Sequence, residues 1–388
     1  SQIGSGIMAQ LRSKFPERCQ QLFPNDDTLI ESICLAHDIG HPPFGHGGEV
    51  ALHYMMREHG GFEGNGQTFR IVARLEPFSE QAGMNLTRRT LLGLLKYPQI
   101  LDILQSPEQP ELPVNHRQLK SDIWHPPKGL YQDDIDILNW VLAPLSADDK
   151  KQFQQITTNS DNQNKDHSKT RFKSVDCSIM ELADDIAYGI HDLEDAIVTG
   201  IVSRKDFNEQ VIDKLMNIED KWLHDYCITL TDKLFSDEHY QQKDAIGGLV
   251  NYLITAIYLD DLNEDSSINF SEPLLRYNAK LPTNMARVLK VFKDFVYHFV
   301  IRQTSIQRIE YRGQQIVMEL FEALSSDPIR LLPSNTAKRW QRAVDNKENA
   351  QRIIADYVAG MTDEYAIKLY QTLFSPTANS GYREPNFK

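Results

Sequence analysis

The stretch LAHDIGHPPFGHGGE, residues 35–49, determines how the rest of the chain is interpreted. The apolar residues before it follow a helical spacing, which predicts a helix that carries His37, Asp38 and His41 towards its end. The Pro-Pro pair stops this helix, because proline lacks the amide donor and restricts the residue before it. The glycines allow a tight reversal, and Glu49 is expected to open a second helix. Imidazole and carboxylate groups are therefore predicted to meet at a helix–turn–helix corner, where they suit a divalent metal ion.

The composition is ordinary for a globular protein with a sizeable core, with 41% hydrophobic and 24% charged residues. A length of 388 residues allows two or three domains or one large helical domain. The sequence has no apolar run long enough for a transmembrane span and no recognisable signal peptide. Its four cysteines show no CxxC spacing, which predicts reduced thiols and a cytoplasmic location.

The net charge of −13 argues against a generally basic nucleic-acid binder. It does not exclude an anionic substrate, provided that a metal ion and a few lysines or arginines make the site locally positive.

Most of the sequence has the apolar spacing of helices, and we predict one large all-α domain over residues 1–388. Helical patterns cover 1–13, 27–40, 47–58, 66–75 and 87–96, and they dominate again after residue 175. Six prolines between residues 98 and 130 predict a long irregular excursion. Residues 157–172 are polar, and we expect them to be mobile. Strand-like alternation is scarce, and we see no repeat and no clear linker.

A second informative stretch, ELADDIAYGIHDLEDAI, covers residues 181–197. At about 100° per residue, its aliphatic residues fall on one side of a helix and its acidic residues on the other. A solvated acidic face is the simpler interpretation. However, this helix carries no lysine or arginine to offset the like charges, and Tyr188 lies between Asp184 and Asp192 at four-residue steps. Such a row suits a metal ligand followed by groups that line a substrate, and Asp184 is the natural third ligand beside His37 and Asp38. A second histidine from elsewhere would complete the set.

The chain resembles the bacterial dGTP/dNTP triphosphohydrolases, a branch of the HD-domain metal-dependent phosphohydrolases. The resemblance extends over most of the chain, through AHDIGHPPFGHGGE (36–49), FEGNGQTFRIV (62–72), LLGLLKYP (91–98), ELADDIAYGIHDLEDA (181–196) and DYVAGMTDEYA (356–366). It implies a helical HD-type fold, with an HD core over about 1–200 and a C-terminal helical part over about 201–388. It also implies hydrolysis of a deoxynucleoside triphosphate to the deoxynucleoside and inorganic triphosphate, by attack of water at the α-phosphorus.

The resemblance implies a role for each matching site residue. His37, Asp38 and Asp184 would be metal ligands. His46 and Glu49 would form a catalytic pair beside the scissile bond, with Glu49 orienting the imidazole. Both activation of water and protonation of the leaving 5′-oxygen fit His46, since histidine titrates near neutral pH.

The remaining positions would bind substrate. Lys96, Tyr97 and Lys128 would hold the triphosphate, although a plain loop lysine is an equal interpretation of Lys128 alone. Tyr188 would pack against the deoxyribose, and Asp192 would accept the 3′-hydroxyl. Asn65 would lie near the site. His41, which the resemblance does not assign, fits a turn-capping or supporting role better than a catalytic one.

One departure from the family pattern concerns the metal. The family places a further metal-binding histidine in an R-x-x-H-S-x-E-V motif just before the segment that matches residues 1–4, and this motif is absent. We therefore expect the full protein to have an N-terminal stretch that precedes Ser1.

The resemblance also implies cofactors and partners. The His/Asp set accepts Mn, Mg, Fe, Co or Ni, so the native metal stays open. The resemblance implies a homo-oligomer, such as a hexamer built from dimers. Binding of single-stranded DNA and the presence of allosteric dNTP sites stay open. The choice between dGTP and all dNTPs as substrates also stays open. The alternatives are another HD-domain nucleotidase or phosphodiesterase, and a non-catalytic nucleotide-sensing oligomer.

Overall fold

The computed structural model describes residues 1–157 and 166–375 and confirms the all-α prediction, since it is 65% helical with few short strands. The α-helices of the described residues are α1 (Gln2–Lys14), α2 (Pro16–Leu22), α3 (Thr28–Ala36), α4 (Gly45–Met55), α5 (Gly64–Arg70), α6 (Arg88–Leu94), α7 (Leu101–Leu104), α8 (Ile135–Leu142), α9 (Ala147–Phe153), α10 (Val175–Ile186), α11 (Asp192–Val198), α12 (Arg204–Phe207), α13 (Asp213–Leu215), α14 (Lys221–Leu234), α15 (His239–Ala256), α16 (Pro273–Arg276), α17 (Thr283–Val296), α18 (Thr304–Ser326), α19 (Pro328–Leu331), α20 (Ser334–Asp345), α21 (Ala350–Ala359) and α22 (Asp363–Phe374). Segments of π-helix cover Ile71–Leu75, Ala187–His191, Asn208–Ile212 and Tyr297–Ile301, and 3₁₀ turns cover His116–Gln118, Gln132–Asp134 and Leu262–Glu264.

The corner at residues 35–49 forms as a helix–turn–helix, but its helix ends differ from the prediction. Helix α3 ends at Ala36, so His37 caps it and Asp38 lies in the turn. Helix α4 begins at Gly45, which places Glu49 inside the helix and not at its start. The turn is tight: a Cβ on Gly48 would lie 2.0 Å from the carbonyl oxygen of Pro43, so this position requires glycine.

Residues 175–198 are not the uniform helix that the spacing predicted. Ser174 caps α10 by accepting a hydrogen bond from the Cys177 amide, and a π-helical segment, Ala187–His191, then separates α10 from α11. A π-helix has one more residue per turn than an α-helix and is frequent at functional sites. Because Tyr188 lies in this segment, the four-residue steps assumed on either side of it are not regular.

Two short antiparallel strand pairs were missed by the sequence analysis. Strand β1 (Ile156–Thr157) pairs with β2 (Lys169–Thr170), inside the stretch expected to be mobile. Residues 158–165 of that stretch lie outside the described residues. Strand β3 (Tyr258–Asp261) pairs with β4 (Tyr277–Lys280) and begins just after α15 ends at Ala256, in a part of the chain where helical patterns were expected to dominate. The β3–β4 pair packs on α10, where the amide of Ala279 donates to the hydroxyl of Ser178 at 2.9 Å.

The proline-rich excursion over 98–130 is largely irregular, as predicted, apart from α7 and one 3₁₀ turn. It is closed at its base by two backbone hydrogen bonds, from Leu101 to Leu130 at 2.8 Å and from Leu130 to Gln99 at 2.9 Å. This closure fixes the position of the segment that carries Lys128.

Two apolar cores hold the helices together, and each combines residues from before and after residue 200. The larger core extends from Ile7 to Val296, and the second joins α4 and parts of the excursion to α18–α22. Helix α18 packs along α4, which places the C-terminal helices directly against the corner. The single-domain organisation over 1–388 stays a prediction. None of the helices in 1–157 and 166–375 is long and apolar enough to cross a membrane.

Candidate active site

His37, Asp38 and Asp184 converge on one point of the surface. The Nδ1 atom of His37 lies 2.8 Å from the carbonyl oxygen of Cys34, and since a carbonyl can only accept, Nδ1 carries the proton. Nε2 is therefore the ring atom that can bind a metal ion, and such binding would release any proton that it holds. It lies 3.1 Å from Asp38 Oδ2 and 3.3 Å from Asp184 Oδ1, is buried, and makes no hydrogen bond. An orphaned imidazole nitrogen that faces two carboxylates is the arrangement a bound cation would satisfy.

The donor set fits a divalent metal. One ligand atom from each of the three residues lies within 4.8 Å of the others, and this is the only such group that the described residues form. Burial lowers the pKa of His37, but Asp184 and Asp38 more than offset it and raise the pKa to about 10. The carboxylates thus favour positive charge at this point. A cavity of about 390 Å³ opens beside His37 and Asp184 and leaves room for further ligands.

His46 and Glu49 form a pair on one face of α4. Nδ1 of His46 lies 3.2 Å from Glu49 Oε2, and the two residues are one turn apart. The hydrogen bond to Glu49 raises the pKa of His46, although burial acts against it. The imidazole remains accessible, since its side chain is 57% exposed, whereas that of Glu49 is only 3% exposed. Glu49 is therefore placed to orient an imidazole that solvent and ligands can reach.

Glu49 stays ionised although it is buried. Burial raises its pKa, but the contacts with His46, Lys128 and the Gly64 amide hold the pKa well below the usual range. Its Oε1 atom accepts from the Gly64 amide at 2.9 Å and from Lys128 Nζ at 3.0 Å. The carboxylate thus links α4 to the start of α5 and to the excursion.

Asn65 and Lys128 meet at a second buried carboxylate, Glu63. The amide of Asn65 donates to Glu63 Oε1 at 2.6 Å, and Lys128 Nζ lies 3.2 Å from the same oxygen. The structure therefore brings both predicted substrate residues next to the His46–Glu49 pair.

Lys96 lies within electrostatic range of Asp38, and Tyr97 lies within range of Glu63 and Lys128. Lys96 Nζ is 3.8 Å from Glu181 Oε1. Burial raises the pKa of Asp38, but His37, His41 and Lys96 together lower it below its ordinary value, which indicates that Lys96 lies near the metal cluster. Burial is also the main reason why the pKa of Tyr97 rises to about 12, so its hydroxyl stays protonated and can donate to an anion.

Tyr188 and Asp192 extend the site beyond Asp184. Tyr188 is half-buried and Asp192 is exposed. Burial raises the pKa of Asp192, and the charges of Asp195 and Asp184 raise it further. Lysines from other segments partly neutralise the acidic face. Lys293 on α17 donates to Asp185 at 2.5 Å, and Lys173 pairs with Glu181.

Comparisons with known proteins identify the family of this chain. Residues 279–372 match the family model of a phosphohydrolase-associated domain. A deoxyguanosinetriphosphate triphosphohydrolase-like protein from Aliivibrio fischeri is 58% identical over 376 residues, which cover 97% of this chain and 83% of that protein. A protein with the same name from Shewanella halifaxensis is 57% identical over 381 residues, with 98% and 83% covered. The chain belongs to the family of deoxyguanosinetriphosphate triphosphohydrolase-like proteins.

The family resemblance did not draw attention to Glu63, whose buried carboxylate contacts both Asn65 and Lys128. Its position was visible only as the second residue of the FEGNG motif, a glutamate directly before a glycine-rich helix start. Such a position is that of a helix cap.

A buried ion network behind the site of this family member was also missed. Arg70 on α5 donates to Asp356 on α21 at 2.9 Å and to Asp134 at 2.9 Å. Both carboxylates and the guanidinium are almost fully buried. Asp356 opens the matching string at 356–366 and Arg70 lies in the string at 62–72, so the resemblance contained both residues but not the contact between them.

Proposed function

We propose that this protein is a metal-dependent deoxynucleoside triphosphate triphosphohydrolase, which converts dGTP or other dNTPs to the deoxynucleoside and inorganic triphosphate. The observation that carries the proposal is the buried, unpartnered Nε2 of His37 between two carboxylates, beside an accessible His46–Glu49 pair. The names of the two relatives, which are deoxyguanosinetriphosphate triphosphohydrolase-like proteins, support dGTP as a substrate.

His37, Asp38 and Asp184 would hold the metal ion. A bound divalent ion would polarise a phosphoryl oxygen and lower the pKa of a bound water molecule. Mn, Mg, Fe, Co and Ni are all compatible with one imidazole and two carboxylates.

His46 moves a proton at the scissile bond. Glu49 accepts from Nδ1 and keeps Nε2 directed away from the carboxylate, so that Nε2 can hold a proton. Glu49 raises the pKa of His46, which shifts the equilibrium towards the protonated form. That form donates to the leaving 5′-oxygen, which supports general acid catalysis over activation of water.

The remaining predicted residues would bind the substrate. Lys96, Tyr97, Lys128 and Asn65 supply donors and positive charge for the triphosphate, which an acidic chain needs at this point. Tyr188 would face the deoxyribose and Asp192 the 3′-hydroxyl. Assembly into a homo-oligomer also remains part of this proposal.

The test is hydrolysis of each of the four dNTPs with Mn²⁺ or Mg²⁺, with chromatographic detection of the deoxynucleoside and of triphosphate. Equal amounts of the two products are expected from at least one dNTP, and their formation should stop with a chelator. Asp184→Asn should lose both bound metal and turnover, whereas Asp345→Asn, a change at the exposed end of α20, should lose neither. Release of orthophosphate or pyrophosphate would instead support another HD-domain phosphohydrolase.

A further inference from the structure

Glu63 is a fully buried carboxylate with more partners than a helix cap needs. It is 0% exposed, and its Oε2 atom accepts from the Gly66 amide at 2.8 Å, which caps α5. Its Oε1 atom has the contacts with Asn65 and Lys128 described above. One oxygen thus serves the fold, and the other contacts two residues of the proposed phosphate site.

Capping alone does not explain a glutamate at this position. Several other helices of the described residues are capped by shorter hydroxyl side chains, such as Thr87, Ser146 and Ser174. Short polar residues are the preferred caps, and burial of a carboxylate carries a desolvation cost unless the charge is paired. The length and charge of Glu63 therefore have a second use, which is to reach Lys128.

Lys128 depends on such a partner for its position. It lies in an irregular loop, and a lysine has a flexible stem that samples many conformations in solution. Here its ammonium is held between Glu49 at 3.0 Å and Glu63 at 3.2 Å. Burial lowers the pKa of Lys128, but the two carboxylates raise it above the ordinary value, so the charge is permanent. The side chain is still 36% exposed, which keeps the cation accessible to a ligand.

The backbone of Glu63 is fixed as well. The hydroxyl of Tyr131 donates to the carbonyl oxygen of Glu63 at 3.0 Å. The ring of Tyr131 is itself fully buried, with the guanidinium of Arg352 stacked 3.6 Å from its centre. Glu63 thus holds Lys128 from a rigid point of the fold.

We propose that Glu63 is a positioning residue, which holds Lys128 and Asn65 where they meet the polyphosphate group of the substrate. This inference rests on the proposed function and adds to it a residue that does not touch substrate. Because Glu63 is fully buried, the anion would contact Lys128 and Asn65 and not the Glu63 carboxylate.

The test is a double-mutant cycle with inorganic triphosphate as the probe, measured by calorimetry with Mn²⁺ in excess over both components. In Glu63→Gln, one amide oxygen can still cap α5, but the amide nitrogen then faces Lys128 and Asn65, which are donors themselves. Glu63→Gln and Lys128→Met should each weaken binding by about tenfold or more, the order expected for one charged contact. In the double variant the loss should be clearly smaller than the product of the two single losses, because the contact between Glu63 and Lys128 can be removed only once; any additional loss beyond Lys128→Met reports on Asn65. Glu80→Gln, which removes an exposed acid elsewhere, should bind like the wild type.

Any one of three results would overturn the inference: wild-type affinity in Glu63→Gln, losses of affinity that multiply in the double variant, or no binding of triphosphate by the wild type. Melting temperatures separate positioning from folding, since Glu63→Ala loses the cap as well as the contact with Lys128 and should lower the melting temperature more than Glu63→Gln, which keeps the cap. The dNTP assay reports on the proposed function separately. The binding pattern without turnover would refute the function alone, and turnover without an effect of Glu63 would refute the positioning role alone.

Discussion

Removal of the Asp356 carboxylate should destabilise the protein strongly, because it leaves a buried guanidinium short of partners. Asp356 accepts from Arg70 Nε at 2.9 and 3.1 Å and from Arg70 Nη2 at 3.0 Å, and it also accepts from Gln67 at 3.1 Å. Burial lowers the pKa of Arg70, but Asp356 and Asp134 raise it above its ordinary value, so Arg70 stays charged in every variant.

The magnitude follows from what remains in Asp356→Ala. Loss of one partner of a buried ion pair costs about 3–5 kcal/mol. Asp134 still accepts from Arg70 at 2.9 Å, so we expect the lower end, a loss of about 3 kcal/mol in the free energy of unfolding. The same change removes the ion pair between α21 and α5, the helix that carries Asn65.

Urea unfolding followed by circular dichroism measures this loss as a shift of the midpoint at unchanged slope. Asp345→Ala, a change at the exposed end of α20, is the control and should stay within about 0.5 kcal/mol of wild type. The double variant Arg70→Met/Asp356→Ala should be less destabilised than the sum of its single changes. A loss below about 1 kcal/mol in Asp356→Ala, the level of an exposed ion pair, would refute the reasoning.

Further predictions concern acid stability, packing and catalysis. Burial lowers the pKa of His53 to about 4. Between about pH 6.5 and pH 4, the unfolded chain therefore binds a proton that the folded protein does not. The free energy of unfolding should fall by up to about 3 kcal/mol as pH drops through this window. Urea unfolding at several pH values should show a smaller fall in His53→Gln, and an identical fall would contradict the assignment. Gly40→Ala should lower the free energy of unfolding by about 2 kcal/mol or more, because the new Cβ would lie 2.1 Å from the Thr68 amide nitrogen. The control Gly247→Ala on α15 has open space around the new Cβ and should leave the stability unchanged or raise it. His46→Ala should lower turnover by about a hundredfold or more without loss of bound metal, and the exposed-residue control His239→Ala should lower neither; full activity in His46→Ala would remove it from the catalytic assignment.

The parts of the structure that depend on local sequence were the most predictable. The corner at 35–49 combines apolar spacing with prolines and glycines, and these act within a few residues, so the helix–turn–helix form could be derived directly. Its exact ends could not, because His37 and Asp38 leave the helix for the turn. The proximity of Asp184 to His37 and Asp38 could be predicted, because helical spacing and the family strings both indicated the same acidic face.

Contacts between segments that are distant in the chain could not be predicted from the sequence. Glu63 and Lys128 are far apart in the chain, and nothing in either neighbourhood specifies the other. The cation beside Asp185 comes from Lys293 on another helix, so the acidic face looked uncompensated when only its own helix was considered. The β3–β4 pair is similar, since each strand is four residues long and gains its stability from the partner and from α10.

The most direct test of the central claim is hydrolysis of dGTP in ¹⁸O-labelled water, with mass spectrometry of both products. Attack of water at the α-phosphorus places one ¹⁸O atom in inorganic triphosphate and leaves the deoxyguanosine unlabelled, and the account predicts this result with Mn²⁺ or Mg²⁺ present. Label in the deoxyguanosine, or labelled orthophosphate or pyrophosphate in place of triphosphate, would contradict it.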